Sequence, residues 1–477
     1  MKLEKFLQDN YGYNPDVKDV MAEYIDQWKS WYRGNVRKFH NYYIYNGQRK
    51  VNKHRFTMNM AKEISEDWSD ILWSEKCKIS LKDDNMQKQF DELLNALDLN
   101  NVINQAIEKS GALGTNATVV SVYDIISNED GMTLDVSNAK TRIDNVDIDW
   151  IFPLTWNNKE IIECAFGSVE YIEGKKYIVL SVHKKNDKDN YVIHNHLFLD
   201  DNGNLTEIDQ TKDTMKEFDT KSNIKWFSIF KPLLTNNLFN NNPFGIPHYA
   251  NAIDNMKAVD ISFDALKNEI KDGRKRTFVR ADMLNYDDGT QKMTFDPEDT
   301  DIYVLPSGAT KDDLIQSDTN QLRTDSQIQT LNANLNMLGS KVGFGNNYYH
   351  YDGSVLTTAT QVISSNSKMA RRKKKLEVGY ESSIYDLVNA ICYASSEFGK
   401  YNINTDDMVI KFDDSIIEDK EAESNRALRE LNAGVMGVIE YREKIYGETE
   451  EIAKQKVEDT IKQNMELQQM AGNEELE

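Results

Sequence analysis

The sequence has few cysteines and no long apolar run. Its three cysteines, at positions 77, 164 and 392, are odd in number and lack metal-site spacing, which excludes a disulfide scaffold and fits a reducing cytosol. No stretch approaches the roughly 18 apolar residues that a membrane-spanning helix needs. The first residues also lack the apolar core of a signal peptide. We therefore expect a chain that is neither exported nor inserted into a membrane.

The sequence motifs of common enzymes are also missing. There is no Gly-x4-Gly-Lys-Ser/Thr phosphate loop, no His-Glu-x-x-His and no Gly-x-Ser-x-Gly. The nearest glycine cluster, Gly343-Phe344-Gly345, does not connect a strand to a helix in a nucleotide-binding unit. We therefore expect no cofactor and no enzymatic activity.

The 477 residues carry an excess of negative charge, with 78 acidic and 57 basic residues and a net charge of −21. A chain this acidic does not wrap DNA, because neutralising phosphates needs a basic surface, so any contact with nucleic acid must come from local basic patches. The 39% of hydrophobic residues are enough for sizeable cores and too many for a disordered chain. The length allows about two to four domains.

Hydrophobic periodicity divides the first half into a helical and a strand-rich part, which predicts an α+β protein. Residues 1–110 are typical of helices, expected near 58–73, 86–98 and 100–110, the last closing at Gly111. The clearest helical stripe has spacings of 3, 4, 4 and 3 and consists of Val17, Val20, Tyr24, Trp28 and Trp31. Residues 115–230 contain short β-branched runs at regular spacing, with a hairpin turn at 201–204, which predicts an antiparallel sheet.

Two further helices flank a small insert. They are expected at 249–271 and 325–341, with strands at 277–280 and 302–305 between them. The second helix carries a narrow apolar stripe at spacings of 3, 4, 3 and 4, formed by Ile328, Leu331, Leu335, Leu338 and Val342. This period is typical of helix-on-helix packing.

The last third is helical. A loop bounded by Gly343, Gly345 and Gly353 leads into residues 357–398, which contain no proline and one interior glycine, Gly379, where a kink is expected. Residues 416–477 are predicted to be helical and acidic.

Three kinds of candidate site stand out. Strand histidines His183, His194 and His196, with Asp147 and Asp149, could bind a metal, although hydrogen-bonded histidines are the commoner arrangement. Two basic clusters interrupt the acidic background and could contact phosphates or an adjacent subunit: Lys267, Lys271, Arg274, Lys275 and Arg276, and Arg371, Arg372, Lys373, Lys374 and Lys375. The loop residues Asn346, Asn347, Tyr348, Tyr349, His350, Tyr351 and Asp352 could touch nucleic acid or fold onto their own core.

The order of these elements resembles the portal proteins of tailed bacteriophages, in particular the Gp6-like family of siphovirus portals. The resemblance covers nearly the whole chain. It rests on short strings at 28–34, 39–40, 45–47, 153–156, 163–166, 242–247, 258–260, 268–270, 358–362 and 441–447.

The resemblance implies an α+β portal fold with named regions. These are a wing at 1–245, stem helix 1 at 246–271, a clip at 272–324, stem helix 2 at 325–342, a channel loop at 343–357, a long wing helix at 358–398 and a crown at 399–477. It also implies a ring of about twelve copies at one capsid vertex of the virion, assembled in the host cytoplasm. Double-stranded DNA passes through this ring during packaging and ejection.

The partners implied by the resemblance are the terminase large subunit, which hydrolyses ATP, a head-completion or adaptor protein, and capsid and scaffolding proteins. We expect Tyr348, Tyr349, His350 and Tyr351 to line the narrowest point of the channel, with Gly343, Gly345 and Gly353 as loop hinges. Two alternatives remain: an acidic metal-dependent hydrolase, which metal content after purification would reveal, and a monomeric carbohydrate-binding or adhesion module.

Overall fold

The structure is a computed structural model that describes residues 2–45, 47, 49–123, 126–127, 133–135, 139–157, 160–208, 215–273, 276–280, 285–287, 292–294, 302–305, 315–318, 321–351, 359–398, 401–413, 420–450 and 452–462. The chain divides into two compact units. Unit 1 consists of Met1–Val355 and Ser367–Phe412, and unit 2 consists of Leu356–Asn366 and Asp413–Glu477. Helices and strands both occur, so the predicted α+β class is confirmed.

Unit 1 begins with helices and one hairpin. These elements are α1 (Leu3–Tyr11), α2 (Asp16–Asp19), α3 (Ala22–Tyr32), α4 (Arg37–His40), β1 (Asn41–Tyr45), β2 (Lys50–His54), α5 (Met60–Leu72), β3 (Lys78–Ser80), α6 (Asp84–Ala96) and α7 (Leu99–Leu113). Among the described strands, β1 and β2 pair with each other alone. The sequence analysis missed this hairpin.

A break between α2 and α3 interrupts the stripe predicted over residues 17–31. The break shifts the helical phase, so Met21 and Ile25 are buried whereas Val20 and Tyr24 are exposed. The prediction of one continuous stripe was therefore wrong at these two exposed positions.

The predicted helix end at Gly111 was also wrong, because α7 continues to Leu113 and ends at Gly114, whose φ is 86°. Gly111 lies inside the helix where His248 packs closely against it. A Cβ atom at position 111 would come within 2.8 Å of that imidazole. The glycine therefore serves close packing rather than termination.

The strand-rich part of unit 1 is antiparallel, as predicted, but it forms two main sheets rather than one. Its strands are β4 (Asn116–Tyr123), β5 (Ile126–Ser127), β6 (Thr133–Asp135), β7 (Lys140–Asp147), β8 (Ile151–Asn157), β9 (Glu160–Ile172), β10 (Lys175–Lys185), β11 (Tyr191–Asp201), β12 (Asn204–Ile208), β13 (Glu217–Asp219) and β14 (Phe227–Phe230). The larger sheet has the order β12-β11-β10-β9-β8, with β13 also on β11, and the smaller has the order β14-β4-β7. Asn202 and Gly203, both with positive φ, form the expected turn between β11 and β12.

The rest of unit 1 contains two long helices around an insert, followed by a third helix whose first residues, up to Asn366, fall in unit 2. These elements are α8 (Ile253–Asp272), β15 (Arg276–Arg280), β16 (Asn285–Asp287), β17 (Lys292–Thr294), β18 (Ile302–Leu305), β19 (Ile315–Asp318), α9 (Thr324–Val342), α10 (Ala359–Glu397) and β20 (Val409–Lys411). Helix α10 continues through Gly379, where Leu233 packs so closely that a Cβ atom would lie 2.8 Å from the leucine Cβ. This glycine allows close packing between segments.

Two hydrophobic clusters hold unit 1 together. Alternation along β10 directs Ile178, Leu180 and Val182 to one face of the larger sheet, and α1 covers them with Phe6 and Leu7. The larger cluster joins the N-terminal helices, the smaller sheet, α8, α9 and α10. Each fully buried aliphatic side chain contributes about 1.5–3 kcal/mol to stability.

Strand β20 ties the chain after α10 to the N-terminal region. It pairs antiparallel with β3, placing Ile410 opposite Ile79, so residues 401–412 belong to unit 1. Unit 2 contains α11 (Lys420–Asn432), α12 (Val438–Tyr446) and a helical stretch at 452–462. Within it, Glu448 accepts two hydrogen bonds from Arg442 and one from Lys456.

Candidate functional site

Helices α8 and α9 pack against each other and form the framework of the candidate site. The apolar stripe of α9 faces this contact: Leu331, Leu335, Leu338 and Val342 are buried, and Ile328 is half-buried. Polar contacts add to it, since Asn334 Nδ2 donates to Ser262 Oγ at 2.6 Å. At the insert end, Arg323 binds Glu269 in a bidentate pair, with Nη2 2.9 Å from Oε2.

The other side of α8 carries two buried carboxylates. Asp260 is 1% exposed and accepts hydrogen bonds from His40 Nε2 at 3.1 Å and from the Met58 amide at 2.9 Å. Because the Val36 amide donates to His40 Nδ1, the imidazole hydrogen must lie on Nε2. One turn later, Asp264 accepts from the Phe56 amide at 3.2 Å. These carboxylates hold the base of the β1–β2 hairpin against α8, a contact that the sequence analysis missed.

The glycine-bounded loop after α9 begins with a stack of aromatic rings. Gly343, with φ of 104°, ends the helix and turns the chain. The Phe344 ring then stacks between Trp68, at 4.6 Å between centroids, and Tyr348, at 4.3 Å. Arg372 packs beside Gly343, where a Cβ would lie 3.0 Å from its Cγ. The start of the loop is therefore fixed by packing.

Hydrogen bonds fix the next residues of the loop. The Tyr349 hydroxyl donates to Asp67 Oδ2 at 2.7 Å, and the ring is 8% exposed. The Asn347 amide donates to Asn336 Oδ1 at 2.7 Å, and the Tyr351 amide donates to Asn332 Oδ1 at 2.8 Å. The polar face of α9 thus serves to hold the loop.

The loop residues differ in their access to solvent. Asn346, Asn347, Tyr348 and Tyr351 are exposed, whereas His350 is half-buried and Tyr349 is buried. Of the predicted channel-lining tyrosines, Tyr348 and Tyr351 thus reach solvent in the single chain. Asp352 and Gly353 lie outside the described residues.

Acidic neighbours and burial act on the Asp67 carboxyl. Burial is the main cause that raises its pKa to about 6, and Glu63, Asp70 and Glu66 raise it further, while the Tyr349 hydrogen bond opposes them. Burial and the same carboxylate also raise the pKa of Tyr349, so its hydroxyl remains a donor. The link between loop and α5 is therefore a carboxyl that changes charge near neutral pH.

The strand histidines have protein partners. His183 is buried between Phe166 and Phe227, and burial lowers its pKa to about 3. His194 lies 3.6 Å from Glu217, and His196 Nδ1 lies 2.7 Å from Glu207. Asp147 pairs with Lys109, and Asp149 pairs with Lys29. In the part of the chain that the structure describes, no three potential ligands are grouped to hold a metal.

Comparison with known protein families distinguishes between the alternative functions considered in the sequence analysis. A family model described as "Phage portal protein, SPP1 Gp6-like" matches residues 15–465 of the 477. The chain belongs to this portal family. No curated protein matched in a separate search. Portal proteins are components of the phage capsid that assemble as rings. Among the described residues of this chain, no helix has the length and apolarity to cross a membrane.

The first basic cluster of the portal chain is only partly described. Lys267 Nζ lies 5.0 Å from the Phe263 ring centroid, and Lys271 is exposed on the last turn of α8. Arg274 and Lys275 lie outside the described residues, and Arg276 begins β15.

The second basic cluster divides between interior and surface. Lys373 is fully buried and pairs with Glu377, and Arg372 is largely buried, which lowers its pKa. Arg371, Lys374 and Lys375 are exposed. Consecutive helical residues point in all directions, which is why this cluster has both interior and surface members.

Replacing Asp260 with asparagine should lower the stability of the portal chain. Asp260→Asn leaves one of the two donors facing an amide NH2, which we expect to cost about 2 kcal/mol. Thermal unfolding followed by circular dichroism would measure this. Asp254→Asn is the matched control, because Asp254 lies on the same helix and its side chain is 93% exposed. Equal melting temperatures for the two variants would contradict the structural role of Asp260.

The raised pKa of Asp67 predicts a pH dependence. Because its pKa rises from 3.8 to about 6 on folding, the native state binds more protons in this window and stability falls as pH increases through it. Asp67→Asn, which still accepts from Tyr349, should remove this loss. After allowance for solvent screening, we expect the stability lost through this titration to be about 1 kcal/mol.

The measurement is the stability difference between wild type and Asp67→Asn, determined by chemical denaturation at pH 4 and pH 7. The variant should gain on the wild type at the higher pH. A difference that is independent of pH would show that Asp67 titrates normally.

Proposed function

We propose that the chain forms a ring-shaped channel at one capsid vertex through which double-stranded DNA is packaged, retained and ejected. The observation that carries this proposal is the pair α8 and α9, which leads at one end to the clip strands and at the other to an aromatic loop held by Trp68 and Asp67. The family match supports assembly into a ring and association with the capsid.

In this proposal α8 and α9 are the stem helices, residues 272–324 are the clip, and the loop after Gly343 faces the channel. The terminase large subunit docks during packaging and supplies ATP hydrolysis. A head-completion or adaptor protein later takes its place, and capsid and scaffolding proteins surround the ring. The portal itself acts as a conduit rather than an enzyme.

The charge of the chain suits a conduit. With a net charge of −21, a ring of copies repels the DNA backbone overall, so the duplex can slide instead of binding. The exposed cations Arg371, Lys374 and Lys375 are proposed as local contacts to DNA or to an adjacent subunit.

The first test is the mass of the purified particle. About twelve copies of the 55.0 kDa chain would give roughly 660 kDa by light scattering, and negative-stain images should show hollow discs. A particle that stays at 55 kDa at every concentration would contradict the proposal.

The second test addresses the loop. Deleting residues 346–352 should leave rings intact but should lower the yield of DNA-filled heads, because the proposed channel would lose its loop. Complementation of a portal-deficient phage followed by counting full heads would measure this. Asp254→Asn serves as the control, since Asp254 is exposed on α8 and lies outside the loop. A normal yield of full heads from the deletion variant would exclude a role for the loop.

A further inference from the structure

The β1–β2 hairpin lies in the most basic segment of an acidic chain. Between Gly34 and Lys62 the sequence contains no aspartate or glutamate. Residues 33–62 carry eight cations: Arg33, Arg37, Lys38, Arg49, Lys50, Lys53, Arg55 and Lys62. Without these eight charges, the net charge of −21 becomes −29 for the rest of the chain. The net charge of this segment thus differs in sign from the net charge of the rest of the chain.

The hairpin presents tyrosines on its outward face. Tyr43 and Tyr45, on alternate positions of β1, are 59% and 63% exposed. Lys50, on the paired strand, places its Nζ 4.4 Å from the centroid of the Tyr43 ring. Ile44, on the opposite face, is 48% exposed. Exposed tyrosine is one of the residue types that are enriched in protein interfaces.

The base of the hairpin is rigid. Asp260 and Asp264 of α8 hold the residues on either side of it, as described above. Arg55 lies over the Phe39 and Tyr42 rings at 4.2 and 4.9 Å and donates to the Phe39 carbonyl at 2.8 Å. The hairpin is therefore positioned before any partner arrives, which reduces the entropy lost on binding.

We propose that the β1–β2 hairpin docks against an acidic surface of the neighbouring copy of this chain and helps to close the ring. The inference rests on the proposed ring. A two-stranded ribbon has no core of its own and is marginally stable unless something covers it. A second copy offers the opposite charge, and the family assembles as rings of identical subunits.

Duplex DNA fits this surface less well. Its phosphates would attract the lysines, but its bases are stacked inside the helix and offer no faces to Tyr43 and Tyr45, since aromatic stacking serves single strands. Exposed Ile44 likewise has no counterpart on a phosphate backbone. The observations therefore favour a protein surface.

The experiment compares three full-length proteins. The test variant is Tyr43→Ala/Lys50→Glu. The matched control is Tyr171→Ala/Lys175→Glu, which changes the same residue types on the β9–β10 hairpin, where Tyr171 is 73% exposed. Light scattering over a range of protein concentrations and at two salt concentrations would report assembly, and circular dichroism would report folding.

We expect the test variant to need at least about tenfold more protein than the wild type or the control to form rings. Added salt should weaken wild-type assembly in the same direction. If the test variant assembles like the control, the hairpin is not an interface and the inference is overturned. If the wild type itself never forms rings, the proposed function fails first and the inference fails with it.

Two further measurements separate the remaining outcomes. All three native cysteines are buried, so Tyr43→Cys offers an exposed thiol for a maleimide–benzophenone crosslinker. Irradiation should give a covalent dimer of this chain. The absence of this dimer in assembled rings would contradict the inference even if the test variant misfolds.

Fluorescence anisotropy with a 30-base-pair duplex at low salt tests whether the hairpin binds DNA instead. If the test variant loses duplex binding but still forms rings, the hairpin is a DNA contact, and docking on a neighbouring copy is overturned.

Discussion

The fold of unit 1 depends on helix α8, which makes two different contacts along its length. Its apolar side packs against the leucine stripe of α9, and its polar side buries Asp260 and Asp264 against the N-terminal segment. The first contact is non-directional and tolerates small shifts. The second is directional, because each buried carboxylate must receive its hydrogen bonds at fixed positions. Together they fix the positions of the hairpin, the α8–α9 pair and the loop relative to each other.

Much of this arrangement could be predicted where periodicity carries the signal. The spacing of Leu331, Leu335 and Leu338 was sufficient to identify a packed helix, and the Asn202-Gly203 turn identified a hairpin. The break after Asp19 could not be predicted, since it changes the phase of a pattern that is otherwise regular. Likewise, Gly111 resembles a helix end in the sequence, and only the approach of His248 explains why it is not one.

Side-chain partners across long sequence separations were beyond prediction for a different reason. The Tyr349 hydroxyl could equally have faced solvent, and nothing in the loop sequence points to Asp67, which lies 282 positions earlier. The same holds for Lys373, whose burial depends on which turn of α10 faces the core. Composition identified the basic cluster at 371–375 but overlooked residues 33–62, where the cations are dispersed among aromatic and polar residues rather than consecutive.

The pairing of β3 with β20 has a consequence for biogenesis. Ile79 meets Ile410, so the N-terminal helical region gains its last strand partner only after more than four-fifths of the chain has left the ribosome. Contacts of such long sequence separation form slowly, and their partners remain uncovered in the meantime. A nascent chain of this protein therefore exposes an unpaired strand edge during most of its synthesis, the period in which chaperones protect such edges from association with other chains.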